Sequence, residues 1–172
     1  FDEWEPTPKN DLCNSLRLNP DKPILTLFPG SRKQELNRHL PLFIKVAKKL
    51  KNKNSQIQFI LGLACDLTLD HFSMPDWIQV EKENPQKALE CADVALVASG
   101  SATLEAAVFG TPMIIIYKMA ILSWWLSKLL VKTDYVGMVN IIAGEKIMPE
   151  YLQNQATVES ITNNINEIIN ND

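Results

Sequence analysis

The stretch Ile24-Leu-Thr-Leu-Phe28-Pro-Gly30-Ser-Arg32-Lys-Gln-Glu35 decides how the chain folds. A short, mostly apolar run, Ile24–Phe28, meets Pro29-Gly30, the pattern of a buried strand ended by a turn. Leu36, Leu40, Phe43, Ala47 and Leu50 follow at helical spacing, with Lys45, Lys48, Lys49 and Lys51 mostly facing away. Pro41 fits such a helix only near its start. The alternation then repeats. Strands are predicted at residues 57–61, before Gly62, at 77–80, at Val94–Ala98, before Ser99-Gly100, and at Met113–Tyr117. Short helices are predicted at 85–91 and at 102–109, the second stopped by Gly110. Strands alternating with helices imply right-handed β-α-β crossovers, hence an α/β fold with a mainly parallel sheet and helices on both faces. Ligands of such sheets gather beyond the carboxyl ends of the strands.

The length of 172 residues suits one domain of ordinary size. Residues 1–22, with Pro6, Pro8 and Pro20 and with Pro23 just beyond, read as a linker or docking segment carrying a short helix over residues 11–18; residues 23–172 read as the domain. Seventeen basic against 20 acidic residues give a net charge of −3, which excludes a globally basic nucleic-acid binder, and no nucleic-acid partner is expected. Apolar residues at 46% and charged residues at 22% describe an ordered globular chain. The longest mainly apolar run, residues 119–131, is too short to span a bilayer and contains Lys128. The chain begins at Phe1 without a signal-peptide pattern, which suggests a fragment or a processed chain. Cys13, Cys65 and Cys91 are odd in number and widely spaced, arguing for a reducing cytoplasm rather than a disulfide framework.

Two turns carry the candidate chemistry. In the first, Gly30 lets the backbone bend closely, Ser31 and free N–H groups can donate to an anion, and Arg32 can grip phosphate oxygens with its planar fork. It is not a Walker loop, since the Gly-Lys-Ser/Thr ending is absent; the plain alternative is a strand-to-helix turn with a solvated Arg. The second, Ala98-Ser99-Gly100-Ser101-Ala102-Thr103-Leu104-Glu105, opens a helix whose unpaired N–H groups and positive dipole end favour phosphate. Glu105 lies in that helix's first turn. A capping box fits it poorly, because Ala102, three residues earlier, cannot cap. Glu105 is thereby freer to accept hydrogen bonds from sugar hydroxyls, the alternative being a plain surface Glu. Two anion-ready turns on one parallel sheet suggest a pyrophosphate or nucleotide. The Gly-x-Gly-x-x-Gly of a dinucleotide oxidoreductase does not occur.

Other residues are open to more than one reading. Lys118, closing the strand at Tyr117, adds positive charge near the phosphates or is simply solvated. Asn140 sits in an apolar segment and, if buried, needs partners from backbone or ligand. Pro149-Glu150 reads as a helix start, placing Glu150 and Gln153 on one helical face. The stretch from Ile121 to Val131 puts Leu122, Trp125, Leu126, Leu129 and Leu130 on one arc, which suits an interfacial membrane helix or one buried against a partner domain. Cys65, Asp66, Asp70 and His71 lack a recognised metal-ligand spacing, so no metal site is expected. His39 reads as a helix-entry residue.

Taken together the motifs resemble the carboxyl-terminal half of the lipid-A-disaccharide synthase family. The matching pieces are Leu27-Phe-Pro-Gly-Ser-Arg-x-x-Glu35, Ser99-Gly-Ser-Ala-Thr-Leu-Glu105, Pro112-Met with Tyr117-Lys118, Asn140-Ile-Ile-Ala-Gly144 and Pro149-Glu-Tyr-Leu-Gln153, in the family's order from about Ile24 to Val158. Ser101 stands where Thr is frequent, and Val139 where Pro is frequent. The resemblance implies a Rossmann-like donor-binding domain, one half of a two-domain GT-B glycosyltransferase. It implies an inverting, metal-independent transfer, without a cofactor, of 2,3-diacylglucosamine from UDP to the lipid acceptor 2,3-diacylglucosamine 1-phosphate, giving the β-1,6 disaccharide and UDP. The UDP-sugar donor would be held by Gly30, Ser31, Arg32, Ser99, Gly100, Ser101, Ala102, Thr103, Glu105, Lys118, Glu150 and Gln153, with Arg32 and Asn140 on the leaving-group side. The general base would lie in the amino-terminal half of the same enzyme. The location implied is cytoplasmic and peripheral to the inner membrane, with membrane contact through Ile121 to Val131. Another UDP-sugar transferase or epimerase of this architecture, or a non-catalytic nucleotide-binding module, are the alternatives.

Overall fold

The computed structural model of the chain describes residues 5–118 and 135–170. The stretch from Ile121 to Val131, and with it the membrane or partner helix expected there, lies outside the described residues. Among the described residues six parallel strands form one sheet: β1 (Ile24–Phe28), β2 (Gln58–Gly62), β3 (Ile78–Glu81), β4 (Val94–Ala98), β5 (Met113–Tyr117) and β6 (Glu150–Leu152). Their order is β3-β2-β1-β4-β5-β6. The chain thus builds outward from β1 and returns to place β4 on the other side of it. That reversal between β1 and β4 opens a crevice at their carboxyl ends, the usual ligand position in an open α/β sheet.

Helices cover both faces of the sheet. On one, α2 (Lys33–Lys53) and the C-terminal helix α6 (Val158–Asn170) bury Leu36, Leu40, Phe43, Leu50, Ile161 and Ile165 against Leu25, Leu27, Leu61, Leu96 and Ile114. On the other lie α3 (Pro85–Glu90), α4 (Ala102–Val108) and α5 (Met138–Ala143), packing Leu89, Ala102, Ala106 and Val139 against Phe28, Ala95, Val97, Met113 and Ile115. Burial on both faces is why β1 and β4 are continuous rather than alternating runs. The one polar residue within β1, Thr26, is satisfied by donating its hydroxyl to the Ala88 carbonyl.

Near the amino end, α1 (Lys9–Ser15) docks Leu12, Cys13 and Leu16 against Ile24, Ile60, Ala88 and Cys91. Asp93 reinforces the contact, pairing with Lys9 and accepting the Ile24 N–H at 2.8 Å. The three cysteines are free, and burial pushes the Cys91 thiol up to about 12.

Three expectations give way. Pro41 lies well inside α2, not near its start. It removes the bond to the Asn37 carbonyl, but both residues are exposed and water can serve that oxygen. His39 is likewise within α2 and buried, not a helix-entry residue. Pro149-Glu150 opens no helix: Glu150–Leu152 is the edge strand β6, pairing with β5 through Ile115↔Glu150, Ile116↔Tyr151 and Tyr117↔Leu152. Among the described residues no helix is long and apolar enough to cross a membrane.

Candidate functional site

The β1–α2 and β4–α4 turns meet in one pocket of about 200 Å³. Gly30, Ser31, Arg32 and Glu35 line one side; Ser99, Gly100, Ser101, Ala102 and Glu105 line the other. Phe28 and Ala98 form part of the lining at the strand ends. Ala64, Pro85 and Gln86 close the β2–β3 side. Sequence reading did not pick out these last three; the signal for Gln86 was Pro85 at the first position of a helix following a strand, which lands it on the same rim.

The β1–α2 turn differs in detail from expectation. Gly30 has φ +111°, and a Cβ there would stand 2.4 Å from Glu35 Oε2 and 2.7 Å from Glu35 Cβ. The reason is that the Glu35 side chain folds back over the turn. Its Oε2 accepts the Ser31 N–H at 3.0 Å and the Arg32 N–H at 3.3 Å. Those two amides are therefore taken by the protein's own carboxylate and are not free for an outside anion. Arg32 Nη1 stands 3.6 Å from Glu35 Oε1, while its side chain remains 83% exposed. Beneath the turn, His39 Nδ1 lies 2.9 Å from the Glu35 carbonyl oxygen. A carbonyl only accepts, so Nδ1 carries the proton. Burial holds the imidazole below the ordinary histidine range, although the backbone carbonyls of Glu35 and Pro29 favour its charged form.

The β4–α4 turn stays open. The Ser99 N–H donates to the Ile116 carbonyl, and the Ser99 hydroxyl to the Val136 carbonyl at 2.8 Å. The N–H groups of Gly100, Ser101 and Ala102 have no hydrogen-bond acceptor among the described residues. A Cβ on Gly100 would meet nothing within 4 Å among the described residues. Thr103 is fully buried, its N–H and hydroxyl both donating to the Gly100 carbonyl, and it stands behind the lining rather than in it. Ser101 is the N-cap residue but makes no side-chain cap bond. Glu105 makes no capping box: its Oε2 is buried and has no hydrogen-bond partner among the described residues. A carboxylate oxygen left in that condition is costly unless a ligand donor meets it.

Lys118, Asn140, Glu150 and Gln153 do not line this pocket. Lys118 follows directly after β5, and its carbonyl accepts from Arg38 Nη1 at 3.1 Å. Asn140 is fully buried, donating from Nδ2 to the Met148 carbonyl at 2.8 Å and to Glu150 Oε1 at 2.6 Å, and accepting the Met148 N–H at 2.9 Å. Glu150 also accepts the N–H groups of Gly137 at 2.9 Å and Val136 at 3.0 Å. The pair thus fastens the entry to α5, and through Val136 that entry is tied to Ser99 at the pocket rim. Gln153 opens a 3-10 turn at φ +48°, so it shares no helical face with Glu150. Among the described residues no group of three or more His, Cys, Asp and Glu is arranged to hold a metal ion.

Comparison with known proteins agrees with this architecture. An ADP-heptose LPS heptosyltransferase II of E. coli superposes with a TM-score of 0.62 at 11% identity, over 94% of this chain and 50% of that one. Spinosyn rhamnosyltransferase SpnG, solved with thymidine diphosphate, gives 0.57 at 15% identity, over 86% and 37%. The fold is that of one Rossmann-like half of a GT-B glycosyltransferase. Lipid-A-disaccharide synthase of Coxiella burnetii (strain Dugway 5J108-111) is 40% identical over 172 residues, covering 96% of this chain and 46% of the relative. The same enzyme of Syntrophus aciditrophicus (strain SB) is 40% identical over 171 residues, covering 94% and 44%. The chain therefore spans a little under half the length of the curated relatives it matches. A family model described as lipid-A-disaccharide synthetase matches residues 2–172, and the chain belongs to that family.

Proposed function

We propose that this chain is the nucleotide-donor half of a lipid-A-disaccharide synthase. It holds UDP-2,3-diacylglucosamine while the sugar passes to 2,3-diacylglucosamine 1-phosphate, giving the β-1,6 disaccharide and UDP. The observation that carries the reading is Glu105 Oε2, buried with no hydrogen-bond partner among the described residues, in a pocket walled by two turns at the sheet's point of reversal. A carboxylate so placed suits ribose hydroxyls, which donate and would satisfy it. The pocket is smaller than the about 300–1,000 Å³ usual for sites that enclose a whole small ligand, which supports a cleft whose other wall is the amino-terminal half.

In the transfer, the acceptor's 6-hydroxyl oxygen attacks the donor's anomeric carbon. The bond from that carbon to the β-phosphate oxygen breaks, and its electron pair leaves with UDP. Charge grows on the diphosphate as it departs. The Arg32 guanidinium and the N–H groups at residues 100–102, which have no acceptor among the described residues, are the donors at hand to stabilise it. The hydroxyl's proton passes to a general base that we place in the other half. Of the two carboxylates lining the pocket, Glu35 is engaged with Ser31 and Arg32, and Glu105 is given to the ribose. Asn140 and Glu150 take a supporting part, holding the segment that braces Ser99. The setting is the cytoplasmic side of the inner membrane, with the enzyme attached peripherally.

The chain alone is expected to bind UDP and to form no disaccharide. Joined to the amino-terminal half of the Coxiella burnetii relative, it is expected to form disaccharide from the diacylated donor. Turnover by the isolated chain would refute the placement of the base. Equal use of an unacylated donor would favour a different UDP-sugar transferase.

A further inference from the structure

The Glu35 carboxylate sits where a strand-to-helix turn ordinarily offers its amides to an anion. Oε2 takes the N–H groups of Ser31 and Arg32 together, and the backbone of Gly30 lies directly against the same side chain. Adjacent backbone N–H groups at such a turn form an anion-binding concavity. Here that concavity is filled from within. A second, more highly charged anion cannot share those two amides with a carboxylate already bonded to both. With both amides taken, the charged group of the turn that can still meet a diphosphate is the Arg32 guanidinium, beside the Ser31 hydroxyl in the same lining. At 3.6 Å from Glu35 Oε1 it is ion-paired but too distant for a hydrogen bond, so its donor fork remains available.

We propose that Glu35 is a positioning residue for phosphate recognition: as an internal anion it fixes the Gly30–Arg32 turn and holds the Arg32 guanidinium toward the diphosphate. This rests on the donor-site reading and deepens it. It also accounts for the sequence around the turn. Glycine at position 30 accommodates both the positive φ and the folded-back carboxylate, and Glu lies three residues after Arg32, so that one side chain reaches the Ser31 amide, the Arg32 amide and the guanidinium.

A plain helix-capping role predicts the same contacts but a different energetic pattern, and a double-mutant cycle separates the two. UDP and uridine affinities are measured by titration calorimetry on this 172-residue chain carrying Arg32→Ala, Glu35→Ala, Glu35→Gln or the Arg32→Ala/Glu35→Ala pair. Circular dichroism confirms that each is folded. Glu35→Ala is expected to weaken UDP about tenfold, leave uridine unchanged, and add no further loss once Arg32 is gone. Glu35→Gln keeps an acceptor for the two amides and is expected to lose less; if Glu35→Ala fails to fold, the cycle is run with Glu35→Gln. Losses that simply add to those of Arg32→Ala would overturn the inference and leave the donor site standing. Tighter UDP binding by Glu35→Ala would also overturn it, showing a carboxylate that competes with the ligand. If Arg32→Ala itself leaves UDP affinity unchanged, the inference and the donor-site reading fall together.

Discussion

Replacing Glu105 by Gln is the sharpest test of what the pocket recognises. The change keeps the shape of the side chain and removes its charge. In the free chain Oε2 is buried with no hydrogen-bond partner among the described residues, so removing the charge relieves a cost of folding: stability should hold or rise, by about 1 kcal/mol at most, and Tm by no more than about 4 °C for a chain of this size. Binding should respond far more. A hydrogen bond to a charged group contributes about 1.5–3 kcal/mol, so UDP affinity should fall roughly 10- to 100-fold. Calorimetric titration with UDP and with 2′-deoxy-UDP identifies the lost contact. The native chain should bind UDP more tightly than the deoxy ligand, and Glu105→Gln should erase most of that difference. Equal UDP affinity in the two proteins would make Glu105 a structural residue and refute the reasoning. So would an undiminished preference for the 2′-hydroxyl in the variant.

Other perturbations separate support from chemistry. Glu150→Ala leaves the N–H groups of Val136 and Gly137 and one Asn140 donor unmet, and should cost about 2–4 kcal/mol, read as a lowered urea midpoint. Gly30→Ala forces a Cβ into Glu35 at a positive φ and should cost about 1–3 kcal/mol while weakening UDP binding. Burial depresses the His39 pKa below its unfolded value near 6.5, so folded and unfolded forms are both neutral above that pH. Below it the unfolded state takes up a proton that the folded state refuses. Stability should therefore fall as pH drops below 6.5, by at most about 1.4 kcal/mol per pH unit from this group, and a folded His39→Gln variant should lack that component in denaturation across the acid range.

How much was legible in the sequence follows from where the information lies. β1, β4 and β5 are apolar runs closed by a turn or a polar residue, and buried parallel strands have no other signature; the structure places them on the residues expected. β6 was hidden because Pro149-Glu150 carries a helix-start signal, and pairing with β5 overrides that local preference. The helix α6 buries Ile161 and Ile165, but a tail rich in Asn masks their spacing, Asn being a weak helix former. At the site, the failure of a capping box at Glu105 was readable from spacing alone. Capture of the Ser31 and Arg32 amides by Glu35 was not, because it depends on a side chain folding back over a turn. The Asn140–Glu150 lock was equally out of reach, since it joins a helix to a strand whose existence depends on tertiary pairing.

The central claim is that the two turns serve one nucleotide, and residue-resolved NMR of this chain during UDP titration tests it most directly. The account predicts saturable shifts concentrated at residues 30–32 and 99–105, with Ser99 carrying a smaller effect to Val136 and Gly137. Shifts confined to one turn, or centred on the hollow of Lys9, Pro20, Asp21 and Asp93 near the amino ends of the strands, would contradict it.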